Sequence, residues 1–83
     1  MKPAAGVVFK SVGDELVLLD YDRGIYYGLD AVGARLWELI AAGEPLPSVI
    51  ETLLGEYDVS REEVTNDAQR LVGELRERGL LVD

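Results

Sequence analysis

Apolar residues recur at two different spacings along this chain, and the change near residue 30 divides it into two parts. Up to that point they form short runs or alternate with polar neighbours, the two-residue period of β-strands. Gly6-Val7-Val8-Phe9-Lys10 is a β-branched and aromatic run that predicts a short first strand. Val12-Gly13-Asp14 reads as a turn. Glu15-Leu16-Val17-Leu18-Leu19-Asp20 is almost unbroken in its apolar character, which predicts a second strand covered on both faces. Tyr21-Asp22-Arg23-Gly24 suits a hairpin connection, with Gly24 able to take positive φ. Ile25-Tyr26-Tyr27-Gly28-Leu29 is the third strand, with Ile25, Tyr27 and Leu29 on one face and Tyr26 on the other.

Beyond residue 30 the spacing becomes helical. Asp30 as N-cap and Gly43 as C′ residue bound a first helix over 31–42, whose stripe is Val32, Leu36, Trp37, Leu39 and Ile40. Pro47 suits the first position of a second helix carrying Val49, Ile50, Leu53, Leu54 and Tyr57. Ser60-Arg61-Glu62-Glu63 is a capping box, with Val59 placed to staple onto Val64. It opens a third helix with the stripe Val64, Ala68, Leu71, Val72 and Leu75, ended by Gly79 and followed by Leu80-Leu81-Val82. Gly73, inside that helix, costs about 1 kcal/mol against Ala, and close packing is the reason to look for. The order is β-β-β-α-α-α, an α+β fold with a three-stranded antiparallel sheet followed by three helices, winged helix-turn-helix-like in its content.

At 83 residues the chain makes one domain, 1–83, with a thin core and no room for a catalytic cleft and its supports. Eight Lys and Arg against sixteen Asp and Glu leave a formal charge of −8, which repels phosphate backbones. The third helix carries Glu62, Glu63, Asp67, Glu74 and Glu77 against Arg61, Arg70, Arg76 and Arg78, which is not a nucleic-acid footprint. With neither cysteine nor histidine, the chain has no disulfide, no thiolate metal site and no imidazole base. The acidic pairs Glu62-Glu63 and Asp14-Glu15 read as solvated faces, and Tyr26, Tyr27, Tyr57 and Trp37 as packing residues. The glycines form no phosphate loop. No enzyme, cofactor or metal is expected. No signal peptide or membrane span is evident, so a cytoplasmic location is the default.

Three strands cannot close a barrel, so two edges remain. The first run is short, which blunts its edge. The third strand lacks proline and internal charge, two common defences against strand addition. An open edge beside an amphipathic helix offers main-chain partners and side-chain pockets to an extended peptide. A self-pairing dimerisation module and a winged-helix DNA-binding module are the competing classes.

Leu16–Asp20, then Gly24-Ile25-Tyr26-Tyr27-Gly28-Leu29-Asp30, then Val32-Gly33-Ala34-Arg35-Leu36-Trp37-Glu38-Leu39-Ile40 resemble the PqqD-like family, as do Val64, Asp67, Leu71, Leu75 and Gly79-Leu80-Leu81. Asp30 stands where family members often have Asn, and caps a helix equally well. The resemblance implies a recognition element for ribosomally made, modified peptides. In that family a leader peptide adds to the third strand and lies against the third helix. Carried over, this puts backbone pairing on Ile25, Tyr26, Tyr27, Gly28 and Leu29, and a helical wall on Val64, Asp67, Ala68, Leu71, Val72 and Leu75, some of which must also face the core. The chain is most similar to the stand-alone leader-binding proteins of lasso-peptide systems, whose leaders carry a Tyr-x-x-Pro-x-Leu pattern. The resemblance implies as partners that leader, a transglutaminase-like leader peptidase and a cyclase. A PqqD-type chaperone serving a radical SAM enzyme is the near alternative. Asp67, bordering the apolar stripe, is the candidate to meet a cationic residue of a partner.

Overall fold

The structure, a computed structural model, describes Met1–Asp83. In chain order the elements are β1 (Lys2–Pro3), β2 (Val7–Val12), β3 (Glu15–Asp20), β4 (Ile25–Leu29), α1 (Ala31–Ala41), α2 (Leu46–Glu56), α3 (Arg61–Glu77) and β5 (Leu81–Val82). The three longer strands form an antiparallel sheet in the order β2-β3-β4. The α+β arrangement of three strands followed by three helices therefore holds, and the strand predicted as third is β4. To it the fold adds a two-stranded ribbon that joins the chain ends, with Lys2 opposite Val82 and Pro3 opposite Leu81.

Two expectations need correction. β2 is not a short, blunted strand: it has six residues and pairs with β3 from Val7–Asp20 to Val12–Glu15. Val12 belongs to the strand, and the turn consists of Gly13-Asp14, with Gly13 in the left-handed region at φ +66°. Nor is β3 covered on both faces. Leu16, Leu18 and Asp20 are buried, but Val17 and Leu19 on the opposite face are half-covered. No layer packs on that outer face, and its cross-strand neighbours Val8 and Tyr26 are 47% and 74% exposed.

The inner face of the sheet lies on the helices, and one apolar cluster joins Leu16, Leu18 and Leu29 to residues of all three. Trp37 is fully enclosed and meets the edge of Phe9, with ring centroids 6.0 Å apart at 74°. Both predicted N-caps form, although of the capping box at Ser60 only the hydroxyl bond is made and not the return bond from Glu63. The Asp30 side chain accepts from the Gly33 N–H at 2.9 Å, and the Ser60 hydroxyl accepts from the Glu63 N–H at 3.1 Å. In α2, Pro45 is the N-cap and Leu46 the first residue, so Pro47 sits one place further in than predicted, still within the turn whose N–H groups lack helical partners. Tyr57 is the extended C-cap of α2 rather than part of its stripe, and it turns half-buried toward α3. Gly73 faces open space, so close packing does not explain it.

Candidate functional site

β4 is the last strand of the sheet, and its outer side pairs with no other strand. Along an antiparallel edge, alternate residues direct their N–H and C=O groups outward. Either Ile25, Tyr27 and Leu29, or Tyr26 and Gly28, therefore present unpaired groups on that side. Gly28 adds no side chain, and a Cβ there would meet nothing within 4 Å. The backbone at the middle of this edge is thus open to approach.

α3 flanks the same edge, running in the opposite sense. The Tyr27 hydroxyl donates to Glu74, and the Arg78 guanidinium lies 5.1 Å from the centre of the Tyr27 ring. Further along, Leu29 and Leu71 approach each other over Gly33, where a Cβ would lie 3.3 Å from each. Gly33 therefore lets the start of α1 sit under both β4 and α3. The Tyr27–Glu74 bond has electrostatic consequences at both ends. Accepting from the hydroxyl holds the Glu74 carboxyl below its usual value, helped by Arg70, whose Nη1 donates to it at 3.2 Å. The same bond, followed by partial burial, raises the Tyr27 phenol above its usual value.

Where β4 runs into α1, the groove opens into a cleft of about 170 Å³ between the start of α1, the end of α2 and the first half of α3. Its walls include Val32, Leu36, Leu53, Tyr57, Val59 and Leu71, with Asp30, Glu63 and Asp67 at the rim. That volume is smaller than the roughly 300–1,000 Å³ of small-molecule pockets and fits inserted side chains better than a cofactor.

Of the residues assigned to the helical wall, Val64, Asp67, Ala68 and Leu71 line this cleft. Leu71 is half-exposed and Asp67 exposed, so both are within a guest's reach. Val72 and Leu75 do not line it; Leu75 is 0% exposed, and both belong to the core that holds α3 in place behind the groove. The five β4 residues lie along the edge rather than in the cleft. Tyr26 points outward, Leu29 is buried in the core, and Ile25 and Tyr27 are half-buried against it. Reasoning from the sequence missed Val32, Leu36, Leu53, Tyr57 and Val59 as cleft walls, and Asp30 and Glu63 at the rim. The staple position of Val59 was the one available signal, since it had to bring that side chain back over α3.

No group of three or more His, Cys, Asp or Glu side chains is placed to hold a metal ion, and no helix is long and apolar enough to cross a membrane. Three of the four arginines of α3 and its cap are tied to carboxylates: Arg61 to Glu51, Arg70 to Glu74 and Arg76 to Asp83. The sequence model of the family described as "Coenzyme PQQ synthesis protein D (PqqD)" matches residues 15–81, a span that includes β3, β4, all three helices and the start of β5. The chain belongs to the PqqD family.

Two solved structures are similar to this PqqD-family protein over nearly their whole lengths. One, described as "TbiB1 in Complex with the TbiA(beta) Leader Peptide", is 35% identical with a TM-score of 0.90, each chain covered to 100%. The other, described as "Lasso peptide synthetase B1 complexed with the leader peptide", is 26% identical with a TM-score of 0.87, covering 98% of this chain and 95% of that one. No curated protein matches the sequence.

Proposed function

We propose that this PqqD-family protein is a non-catalytic recognition domain that binds the leader segment of a ribosomally made precursor peptide. The leader adds as a fourth strand to β4 and sets its apolar side chains against Leu71 and into the cleft beyond. The observation that carries this reading is the coincidence of three features along one line: an unpaired strand edge, a flanking helix and an apolar cleft at its end. Two structural relatives described as leader-peptide complexes support it.

A lasso-peptide precursor is the best fit, because one relative is described as a lasso peptide synthetase B1 complexed with the leader peptide, and the other, also a leader-peptide complex, is 35% identical along the entire chain. The domain then acts as a tether in the cytoplasm. The leader is held while the core peptide remains accessible, which raises the effective concentration of the core at a leader peptidase and a cyclase. Apolar anchors supply most of the affinity, and the main-chain bonds fix register. A precursor of the quinone-cofactor pathway, handed to a radical SAM enzyme, is the second reading, and the family description favours it.

Amide spectra recorded during titration with a synthetic peptide carrying Tyr-x-x-Pro-x-Leu test the binding. Shifts and new exchange protection are expected along Ile25–Leu29 and on the Asp67–Leu71 turn of α3. Protection confined to β2, or none at all, rejects strand addition at β4. Delivery is tested separately, by whether the domain accelerates leader removal from the full precursor by the peptidase. An unchanged rate rejects tethering while leaving binding intact.

A further inference from the structure

The loop between β3 and β4 is tied to the far end of α3 through one side chain. Arg23 Nε donates to Asp20 Oδ2 at 2.7 Å, and its backbone N–H donates to Oδ1 at 3.2 Å. Asp20 is only 4% exposed, and the guanidinium beside it holds its carboxyl below the usual value. The other end of the same guanidinium reaches across the fold. Nη2 donates to the Gly79 carbonyl at 2.8 Å and Nη1 to the Arg78 carbonyl at 3.3 Å. Those are carbonyls at the end of α3, where partial negative charge accumulates and a cation is favoured. Gly79 is required there twice over. Its φ is +72°, and a Cβ would stand 2.3 Å from Arg23 Nη1.

The two ends of the groove are held differently. At the Asp30 end β4 continues directly into α1, and Leu29, Gly33 and Leu71 are packed together. At the other end β4 begins at an exposed loop, and it is Arg23 that spans to α3. A guest strand pairs at a fixed distance of about 4.8 Å from β4, so its side chains reach α3 correctly only if the helix stands at one offset. We infer that Arg23 is a positioning residue for peptide binding: the Asp20–Arg23–Gly79 clamp sets the width of the groove between β4 and α3. This rests on the strand-addition reading above. Arginine suits the task because one planar fork serves the carboxylate and both carbonyls, whereas a lysine ammonium is a point charge on a flexible stem.

The test uses the full chain, a fluorescent synthetic peptide carrying Tyr-x-x-Pro-x-Leu, and the variants Arg23→Lys, Gly79→Ala and the two combined. Affinity is read by anisotropy well below each unfolding midpoint, with circular dichroism alongside. Arg23→Lys leaves Asp20 a cationic partner, so the fold is kept, yet binding weakens about tenfold. Gly79→Ala displaces the guanidinium and weakens binding to a similar extent. Because both break one contact, the double variant is no weaker than the weaker single. Folded variants that bind as well as wild type overturn the clamp, as do losses that multiply or that simply track the unfolding midpoints. If Arg23→Lys does not fold, Gly79→Ala carries the same comparison. If wild type itself fails to bind the peptide, the strand-addition reading falls and takes the clamp with it; if wild type binds and the variants match it, the clamp alone falls.

Discussion

The two edges of this sheet are equally open as backbone and quite different as surfaces. β2 has six residues, carries the exposed Val8, Phe9 and Val12, and ends the sheet without a strand beyond it. β4 has five and likewise ends it. Only β4 has α3 beside it, tied through Tyr27–Glu74 and Arg23–Gly79, with an apolar cleft where the strand stops. Unpaired N–H and C=O groups alone are a generic hazard of any edge. An edge becomes selective when a wall stands at the right distance to read alternate side chains of what docks there. On this molecule the wall exists on one side.

The largest effect that separates the edges comes from proline. Of two successive positions in an edge strand, one points its N–H outward and the other into the sheet. Ile25→Pro and Tyr26→Pro in β4, and Phe9→Pro and Lys10→Pro in β2, therefore each include one variant that spares the internal ladder. The β4 variant that stays folded is expected to lose leader binding altogether in an anisotropy titration, and its β2 counterpart to bind as wild type. Equal binding by both would erase the distinction between the edges.

A smaller effect should come from the wall. Leu71→Asp places a charge at the half-exposed position where β4, α1 and α3 meet, and is expected to cost about 2 kcal/mol or more of binding, roughly thirtyfold in Kd. Val8→Asp makes the same chemical change on β2 and should leave Kd unaltered. Calorimetric titration with circular dichroism on both proteins checks the pair.

The smallest effect is electrostatic. Asp20 and Glu74, which tie the β4 side to α3, titrate below their usual values in the folded chain because of their bonds to Arg23 and Tyr27. The stability they contribute is complete above the unfolded carboxylate values of about 4 and is lost as pH falls through the lower folded values. Thermal midpoints should therefore drop on acidification below about pH 4, and Glu74→Gln should make that drop shallower. A Glu74→Gln profile parallel to wild type would remove Glu74 from the tie.

What could be read in advance follows from how local each signal is. The bounds of β3 and β4 were legible to the residue, because an apolar run, alternation and the turn residues at 21–24 are short-range signals. The Ser60 cap marked the start of α3, because capping involves residues three apart. The β1–β5 ribbon was not legible: two-residue strands show no period, and their partners lie at opposite chain ends. The length of β2 was underestimated because Ser11 and Val12 extend a ladder that only the pairing with β3 defines. Of the site, the stripe on α3 was visible as a stripe, but nothing in it told Leu71 from Leu75, one at the groove and the other closed into the core.

Hydrophobic period, caps and turn glycines were enough to determine the three longer strands, the three helices and the amphipathic character of the third, since each depends on neighbours within a few residues. Which edge acquired a wall, which face of α3 stayed open and what Arg23 holds were decided by tertiary structure. Those facts depend on contacts such as Tyr27 with Glu74 and Arg23 with Gly79, 47 and 56 residues apart, which form only when the sheet and the last helix are brought together by the common core.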